Sequence, residues 1–152
     1  MDVNEYRITK TRAYLVEIIQ TLTTNNNFQI NADMLGNVDD YSLDKISTES
    51  VVTRWVNGKA RCRDVYSFRS RKAYSKDTIN NLKNIGFFEQ FAEKIETNNR
   101  KGILPNINGI ESIECLNDGT MISTDDGNSA IFDIQIQVTY IKDNKEREVS
   151  LW

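Results

Sequence analysis

The spacing of apolar residues predicts two amphipathic helices. Residues 6–23 carry a stripe that recurs every three or four positions, as one buried helix face requires: Thr11, Leu15, Ile18, Ile19 and Leu22. A second stripe follows an N-cap and first-turn acid at 75–77 and extends a helix to about Asn98: Ile79, Leu82, Ile85, Phe88, Phe91, Ala92 and Ile95. Gly86 interrupts this second helix, so we expect a kink or a close backbone contact there.

Strand patterns occupy most of the remaining chain. Residues 28–32 alternate like a short strand, and a polar surface loop is expected at 36–47. The acidic residues of this region are Asp33, Asp39, Asp40 and Asp44. Beyond the second helix, three strands are predicted, at 109–116, at 120–124 after a tight turn at 117–119, and at 129–141. Apolar and polar residues alternate along the last of them, as in a half-buried antiparallel strand.

The residues around Asn57 and Gly58 predict a long hairpin. Residues 49–56 and 59–72 are rich in strand formers, and Asn57 and Gly58 suit the two positive-φ positions of a type I′ turn. Side chains of a strand point alternately to opposite faces, so the returning strand has one mostly apolar face and one basic face. The first contains Ala60, Cys62, Asp64, Tyr66 and Phe68, and the second contains Arg61, Arg63, Val65, Ser67, Arg69 and Arg71.

These elements predict one α+β domain over residues 1–152, with two helices packed on one face of a largely antiparallel sheet that contains a long hairpin. A chain of this length buries about two-thirds of its unfolded surface. No internal repeat or linker divides it. The sequence has no signal-peptide pattern and no apolar run that is long enough to span a bilayer, so we expect neither export nor membrane insertion.

Charge is unevenly distributed along the chain. Residues 54–72 carry seven basic side chains and one acidic side chain, a local charge of +6 that leaves −9 for the rest of a chain whose total is −3. This face could meet phosphate or an acidic protein, or it could be a solvated strand whose cations deter aggregation. We favour a third interpretation, pairing of the basic face of one copy with an acidic face of another. The candidate interface contains Arg54, Lys59, Arg61, Arg63, Arg69 and Arg71.

Three aromatic residues lie near these arginines. Tyr66, Phe68 and Tyr74 are of the residue types that stack on nucleic-acid bases. Tyr66 and Phe68 belong to the apolar face of the strand, however, so we expect them in the core. At the end of the chain, Leu151 and Trp152 follow a charged segment. They are expected either to fold back as an edge strand or to dock on a neighbour, and they join the candidate interface.

The composition removes most catalytic and metal chemistry. The chain contains no His, which excludes Ser-His-Asp and Cys-His catalysis and His-ligated zinc. Cys62 and Cys115 lack C-x-x-C spacing, and we expect buried free thiols in a reducing cytoplasm. Residues 125–128 lack the spacing of a calcium loop, and Gly58-Lys59 lacks the upstream glycine of a P-loop. The sequence therefore predicts no enzyme, no cofactor and no metal site.

Six short segments, taken in their order and spacing, resemble a known family. They are NADMLG at 31–36, VNG at 56–58, FRSRKAYS at 68–75, NLKN at 81–84, GILP at 102–105 and AIFDIQIQVTY at 130–140. The series covers about residues 28–140. It resembles the tail terminator proteins of long-tailed bacteriophages, which are often called minor capsid proteins in phages of Gram-positive hosts.

The resemblance implies a non-enzymatic virion protein of the tail neck, assembled in the host cytoplasm. Such a subunit forms a hexameric ring on the head-proximal end of the tail tube, stops tube polymerisation and provides the surface that the head–tail connector joins. Its expected partners are further copies of itself, the tail tube protein and the connector protein, with DNA only in transit and no membrane contact. Arg61, Arg63, Arg69 and Arg71 would then contribute to the contact between copies or line a surface that faces the tube.

Two alternatives stay open. A neighbouring head–tail connector or tail-completion protein would have a similar size and ring symmetry. A small nucleic-acid-binding module would instead use the basic strand, and its DNA binding would weaken steeply with salt.

Overall fold

The computed structural model describes residues 2–23, 28, 30–32, 40–73, 78–117, 119–124 and 129–143. After a short 3-10 helix at Val3–Glu5, these residues form two α-helices, α1 (Arg7–Leu22) and α2 (Thr78–Arg100). The strands are β1 (Ile30–Ala32), β2 (Tyr41–Arg54), β3 (Lys59–Ala73), β4 (Ile110–Cys115), β5 (Thr120–Thr124) and β6 (Ser129–Asp143). The predicted α+β class, with two helices and a mostly antiparallel sheet, is confirmed.

One sheet contains all six strands, in the order β1-β2-β3-β6-β4, with β5 also paired to β6. Every pairing is antiparallel except that of β1 with β2. The pairing of β3 with β6 runs without a break from Lys59 opposite Asp143 to Ala73 opposite Ser129. These two long strands form the middle of the sheet, and they explain the strict alternation in their sequences, because a one-residue slip would expose every core side chain.

The core lies between the helices and one face of the sheet. Both helices contribute apolar side chains to it, and the sheet contributes the even-numbered residues of β3 and β6, as predicted. Three rings stack through its centre, with centroids 5.3 Å apart for Tyr41 and Phe68 and 5.1 Å apart for Phe68 and Phe91. This stack joins β2, β3 and α2. In the predicted stripe of α1, Thr11, Leu15, Ile18 and Ile19 are buried as expected, and Leu22 is half-buried.

The prediction of a surface loop up to residue 47 is wrong. β2 begins at Tyr41, and both Tyr41 and Leu43 are buried against the helices. Asp44 follows Leu43 in the strand and points to the opposite face of the sheet, where it is half-buried. The acidic residues next to Tyr41 and Leu43 make this segment resemble a polar loop, so its strand-like alternation was not recognised. Asp33 and Asp39 lie outside the described residues.

The turn between β2 and β3 differs from the predicted type I′ turn. The Trp55 N–H donates to the Lys59 carbonyl at 2.9 Å, and the Gly58 N–H donates to the Trp55 carbonyl at 3.2 Å. Gly58, with a φ of 89°, is therefore the last residue of the turn and not one of its two central residues. Pairing of Arg54 with Ala60 fixes this register, which requires a three-residue loop that ends in a left-handed glycine.

The remaining element predictions differ from the structure mainly at their ends, but Ile85, which was predicted to lie in the buried stripe of α2, is exposed. α2 continues to Arg100, and β6 extends two residues past its predicted end. The expected close backbone contact at Gly86 is absent, because a Cβ placed there meets nothing within 4 Å. Cys62 is buried and Cys115 is half-buried, and neither forms a disulfide. The predicted N-cap at 75–77, Tyr74 and residues 125–128 lie outside the described part of the chain.

Candidate functional site

The sheet has one face that the two helices do not cover. We call it the outer face. It is formed by Arg61, Arg63, Val65, Ser67, Arg69 and Arg71 of β3 and by Ile131, Asp133, Gln135, Gln137 and Thr139 of β6. The buried apolar residues of both helices pack on the opposite side of the sheet. An antiparallel sheet with one solvated face is ordinary, but a face this rich in arginine is a candidate binding surface.

Two of the predicted interface arginines are held by carboxylates of the same subunit. Arg61 donates to Glu111 through Nε at 2.6 Å and Nη2 at 3.2 Å, and this contact raises the pKa of Arg61. Arg69 lies 3.8 Å from an oxygen of Asp44, and its Nε also donates to the Ser67 hydroxyl at 3.4 Å. The outer face is therefore less cationic than the composition of β3 alone implies.

Two other predicted residues keep their charge available. Arg54 and Arg63 are exposed, and neither forms an ion pair with another described residue. Lys59, the first residue of β3, is also exposed. Arg71 is half-buried, and its backbone N–H donates to the Asp40 carbonyl. Leu151 and Trp152 lie outside the described residues.

Lys72, the remaining basic residue of the segment, does not belong to the outer face. Its side chain is buried on the helix side of the sheet, where Nζ donates to the Tyr41 hydroxyl at 2.9 Å. The ammonium group also lies 4.2 Å from the centre of the Phe87 ring. This lysine is a core residue whose charge the aromatic faces accommodate.

The end of the hairpin exposes apolar side chains beside these cations. We call residues 51–63 the hairpin tip. Val51, Val52, Trp55 and Val56 are all exposed there. The Arg61 guanidinium lies 5.3 Å from the centre of the Trp55 ring. Exposed aliphatic side chains next to Trp and Arg are typical of protein interfaces. Sequence reasoning assigned these residues to a strand and missed their exposure, which follows from the position of the tip at the end of the sheet.

An ion pair between a buried carboxylate and a partly exposed arginine lies on the other side of the sheet. The Asp64 carboxylate is completely buried and accepts a hydrogen bond from Arg7 Nε at 2.6 Å. It also accepts from the hydroxyls of Tyr66, at 3.2 Å, and Tyr140, at 3.1 Å. The Arg7 guanidinium lies 4.5 Å from the centre of the Tyr140 ring. This cluster joins the start of α1 to β3 and β6. The sequence indicated this cluster only through Asp64, an acidic residue on the apolar face of the predicted strand. Its partner Arg7 could not be predicted.

An open pocket of about 470 Å³ lies above this cluster. Its charged lining residues are Glu5, Arg7, Lys45, Asp64, Lys142 and Asp143. A second pocket, of about 390 Å³, lies between α2 and β4 and is lined in part by Glu96, Arg100 and Glu114. Within the described residues, no group of three or more acidic or Cys side chains is placed to hold a metal ion.

Burial changes the titration of the two tyrosines in the cluster. Burial raises the pKa of Tyr66 well above its ordinary value, and the negative charge of Asp64 adds to the rise. Burial and Asp64 raise the pKa of Tyr140 in the same way. Both hydroxyls donate to the carboxylate, so losing either proton would leave two negative charges in contact.

The Tyr140→Phe variant is expected to resist alkali better than the wild-type protein. Because the pKa of Tyr140 is raised in the folded state, its hydroxyl keeps a proton there that the unfolded chain loses near pH 10. The contribution of this hydroxyl to the free energy of unfolding is therefore complete below about pH 10. Above about pH 10 the contribution is lost at about 1.4 kcal/mol per pH unit. Urea unfolding of both proteins between about pH 9 and pH 11 measures the difference, because the lysines they share cancel. Equal slopes for the two proteins would contradict this assignment.

Neither described helix is long and apolar enough to cross a membrane. The chain matches no protein-family model and no curated protein sequence at a significant level.

Proposed function

We propose that the protein is a structural virion subunit, a tail terminator that forms a hexameric ring on the head-proximal end of the tail tube. In this role it stops tube polymerisation, provides the surface that the head–tail connector joins and catalyses nothing. The observation that carries the proposal is the hairpin tip, which exposes apolar side chains and two arginines that form no ion pair with another described residue. The α+β fold and the series of segments that resembles the terminator family support it.

The hairpin tip is suited to binding another protein. A stable interface has an apolar centre and a polar rim, and Trp and Arg often supply much of its binding energy. At the tip, Val51, Val52 and Trp55 are exposed, and Arg54 and Arg63 carry charge that no described acid neutralises. A ring of identical subunits needs two different complementary patches on each copy, and the tip is one candidate patch.

The buried cluster favours a structural role over catalysis. Asp64 lies below the larger pocket, but Arg7 and two tyrosine hydroxyls already engage its carboxylate. A general base needs a free lone pair within reach of its substrate. We therefore assign this cluster to the stability of the fold.

The geometry disfavours the nucleic-acid-binding alternative. Tyr66 and Phe68 are buried in the core, where they cannot stack on bases. Arg61 and Arg69 lie against Glu111 and Asp44, which reduces the positive field that phosphates would meet.

Imaging of gold-labelled protein mixed with headless tail tubes, or with polymerised tube protein, tests the proposed function. We expect label on one end of each tube. Label that is scattered along the tubes or absent from them would overturn the terminator proposal. Absent label would favour the alternative of a head–tail connector protein. Binding to DNA that falls steeply with salt would favour the nucleic-acid module.

Charge reversal at the hairpin tip is expected to abolish tube capping. Arg54→Glu with Arg63→Glu removes two exposed cations without breaking any ion pair among the described residues, so the fold should be retained. A charge-matched control changes Lys83→Glu and Lys101→Glu, both of which are exposed and distant from the tip in the chain. Circular dichroism checks folding, and electron microscopy scores capped ends. Capping by the tip variant at the level of the control would exclude the tip from the interface.

A further inference from the structure

The solvent side of α2 carries an acidic stripe. Glu89, Glu93 and Glu96 are exposed and follow the i, i+4, i+7 spacing that places side chains on one side of a helix. None of the three forms an ion pair with another described residue. Ile85, one turn before Glu89 on the same side, is also exposed. We refer to these three glutamates as the acidic stripe.

The acidic stripe and the hairpin tip belong to different layers of the subunit. α2 packs Phe91 and Ile95 against the sheet, and at 100° per residue Glu89 and Glu93 point away from that contact, while Glu96 lies at its edge and lines the pocket between α2 and β4. The tip extends from β2 and β3 in the sheet layer. The chain therefore presents two exposed surfaces of opposite charge that do not pair with each other within the subunit.

The two surfaces match in chemistry. The stripe offers three carboxylates, and the tip offers three exposed cations, with Lys59 and Arg63 on the outer face and Arg54, paired with Ala60, on the other face of the hairpin. Each surface also includes exposed aliphatic side chains, namely Ile85 beside the stripe and the valines at the tip. Patches of opposite charge with an apolar component favour association and fix its register.

We propose that the hairpin tip of one copy of this chain docks on the acidic stripe of the next copy. The inference rests on the proposed ring and names its second patch. A contact between two different patches is heterologous, so it can repeat around a rotation axis until the ring closes. Exposed charge pairs contribute little each, so the valines and Trp55 supply most of the affinity, while the charges set orientation and salt dependence.

Charge exchange between the two surfaces tests this contact. A tip variant carries Arg54→Glu and Arg63→Glu, a stripe variant carries Glu89→Lys and Glu93→Lys, and a combined variant carries all four changes. Sedimentation velocity at low ionic strength, with and without tail tubes, measures assembly. We expect each two-site variant to assemble at least about tenfold more weakly than wild type. We expect assembly to return in the combined variant and in an equal mixture of the tip and stripe variants.

Several outcomes would overturn the contact: wild-type assembly by the tip or stripe variant, no recovery in the combined variant, or no wild-type assembly under either condition. Circular dichroism confirms that each variant is folded, and the Lys83→Glu, Lys101→Glu protein controls for the net charge of the tip variant. Recovery by charge exchange without capping of tubes would retain the contact and reject the terminator function. Capping of tubes without recovery by charge exchange would retain the terminator function and reject the contact.

Discussion

Asp64→Ala is expected to lower the free energy of unfolding by about 2–4 kcal/mol, less than the cost of breaking a fully buried ion pair, because the Arg7 side chain is 30% exposed. The substitution leaves Arg7 without its carboxylate and removes the acceptor of the Tyr66 and Tyr140 hydroxyls. Those two tyrosines are buried, so only water that enters from the pocket above the cluster could replace the lost hydrogen bonds. Urea unfolding at neutral pH measures the loss.

Glu111→Ala provides the matched control for this substitution. The Arg61–Glu111 and Arg7–Asp64 ion pairs have the same Nε–oxygen distance of 2.6 Å, but the Glu111 side chain is 35% exposed and that of Asp64 is 1% exposed. An exposed pair contributes at most about 1 kcal/mol. Burial, and not distance, should therefore separate the two variants. Equal losses would contradict the structural role assigned to Asp64.

Phe68→Ala is expected to cost about 3–5 kcal/mol, the usual range for removing a buried aromatic ring. Phe68 is completely buried and lies between Tyr41 and Phe91 in the central stack. The substitution would leave a cavity bordered by strands and a helix that cannot all move inward. Chemical denaturation measures this effect also.

Two further variants calibrate the Phe68 result. Phe68→Leu should cost less, because it retains part of the buried volume. Ile103→Ala, at a side chain that is 52% exposed, should change stability by much less than Phe68→Ala. If Phe68→Ala were as mild as Ile103→Ala, Phe68 would not be a core residue, and a role in stacking on nucleic-acid bases would return as an interpretation.

Local periodicity accounts for the parts of the fold that were predicted correctly. β6 alternates from Ala130 to Tyr140 because one of its faces is buried along the whole pairing with β3. The stripe of α1 has the same cause at helical spacing. The start of β2 was missed because Asp40 and Asp44 flank the buried Tyr41 and so resemble a polar loop.

The electrostatic contacts were beyond the reach of local patterns. Arg7 and Asp64 are 57 positions apart in the chain, and Arg61 and Glu111 are 50 positions apart. Such pairs depend on how strands and helices meet, which composition does not record. A count of charges along β3 therefore overstated the basic character of the outer face. The exposure of the valines at the tip was not predicted.

Tube elongation in the presence of increasing amounts of the protein tests the terminator role most directly. Tail tube protein is polymerised from preformed tubes, and tube length is followed by electron microscopy. A terminator should stop growth at the capped end, reach saturation at one hexamer per tube, and lose this effect when Arg54 and Arg63 are changed to Glu. Continued elongation at saturating protein, at the rate seen without it, would contradict the proposed function.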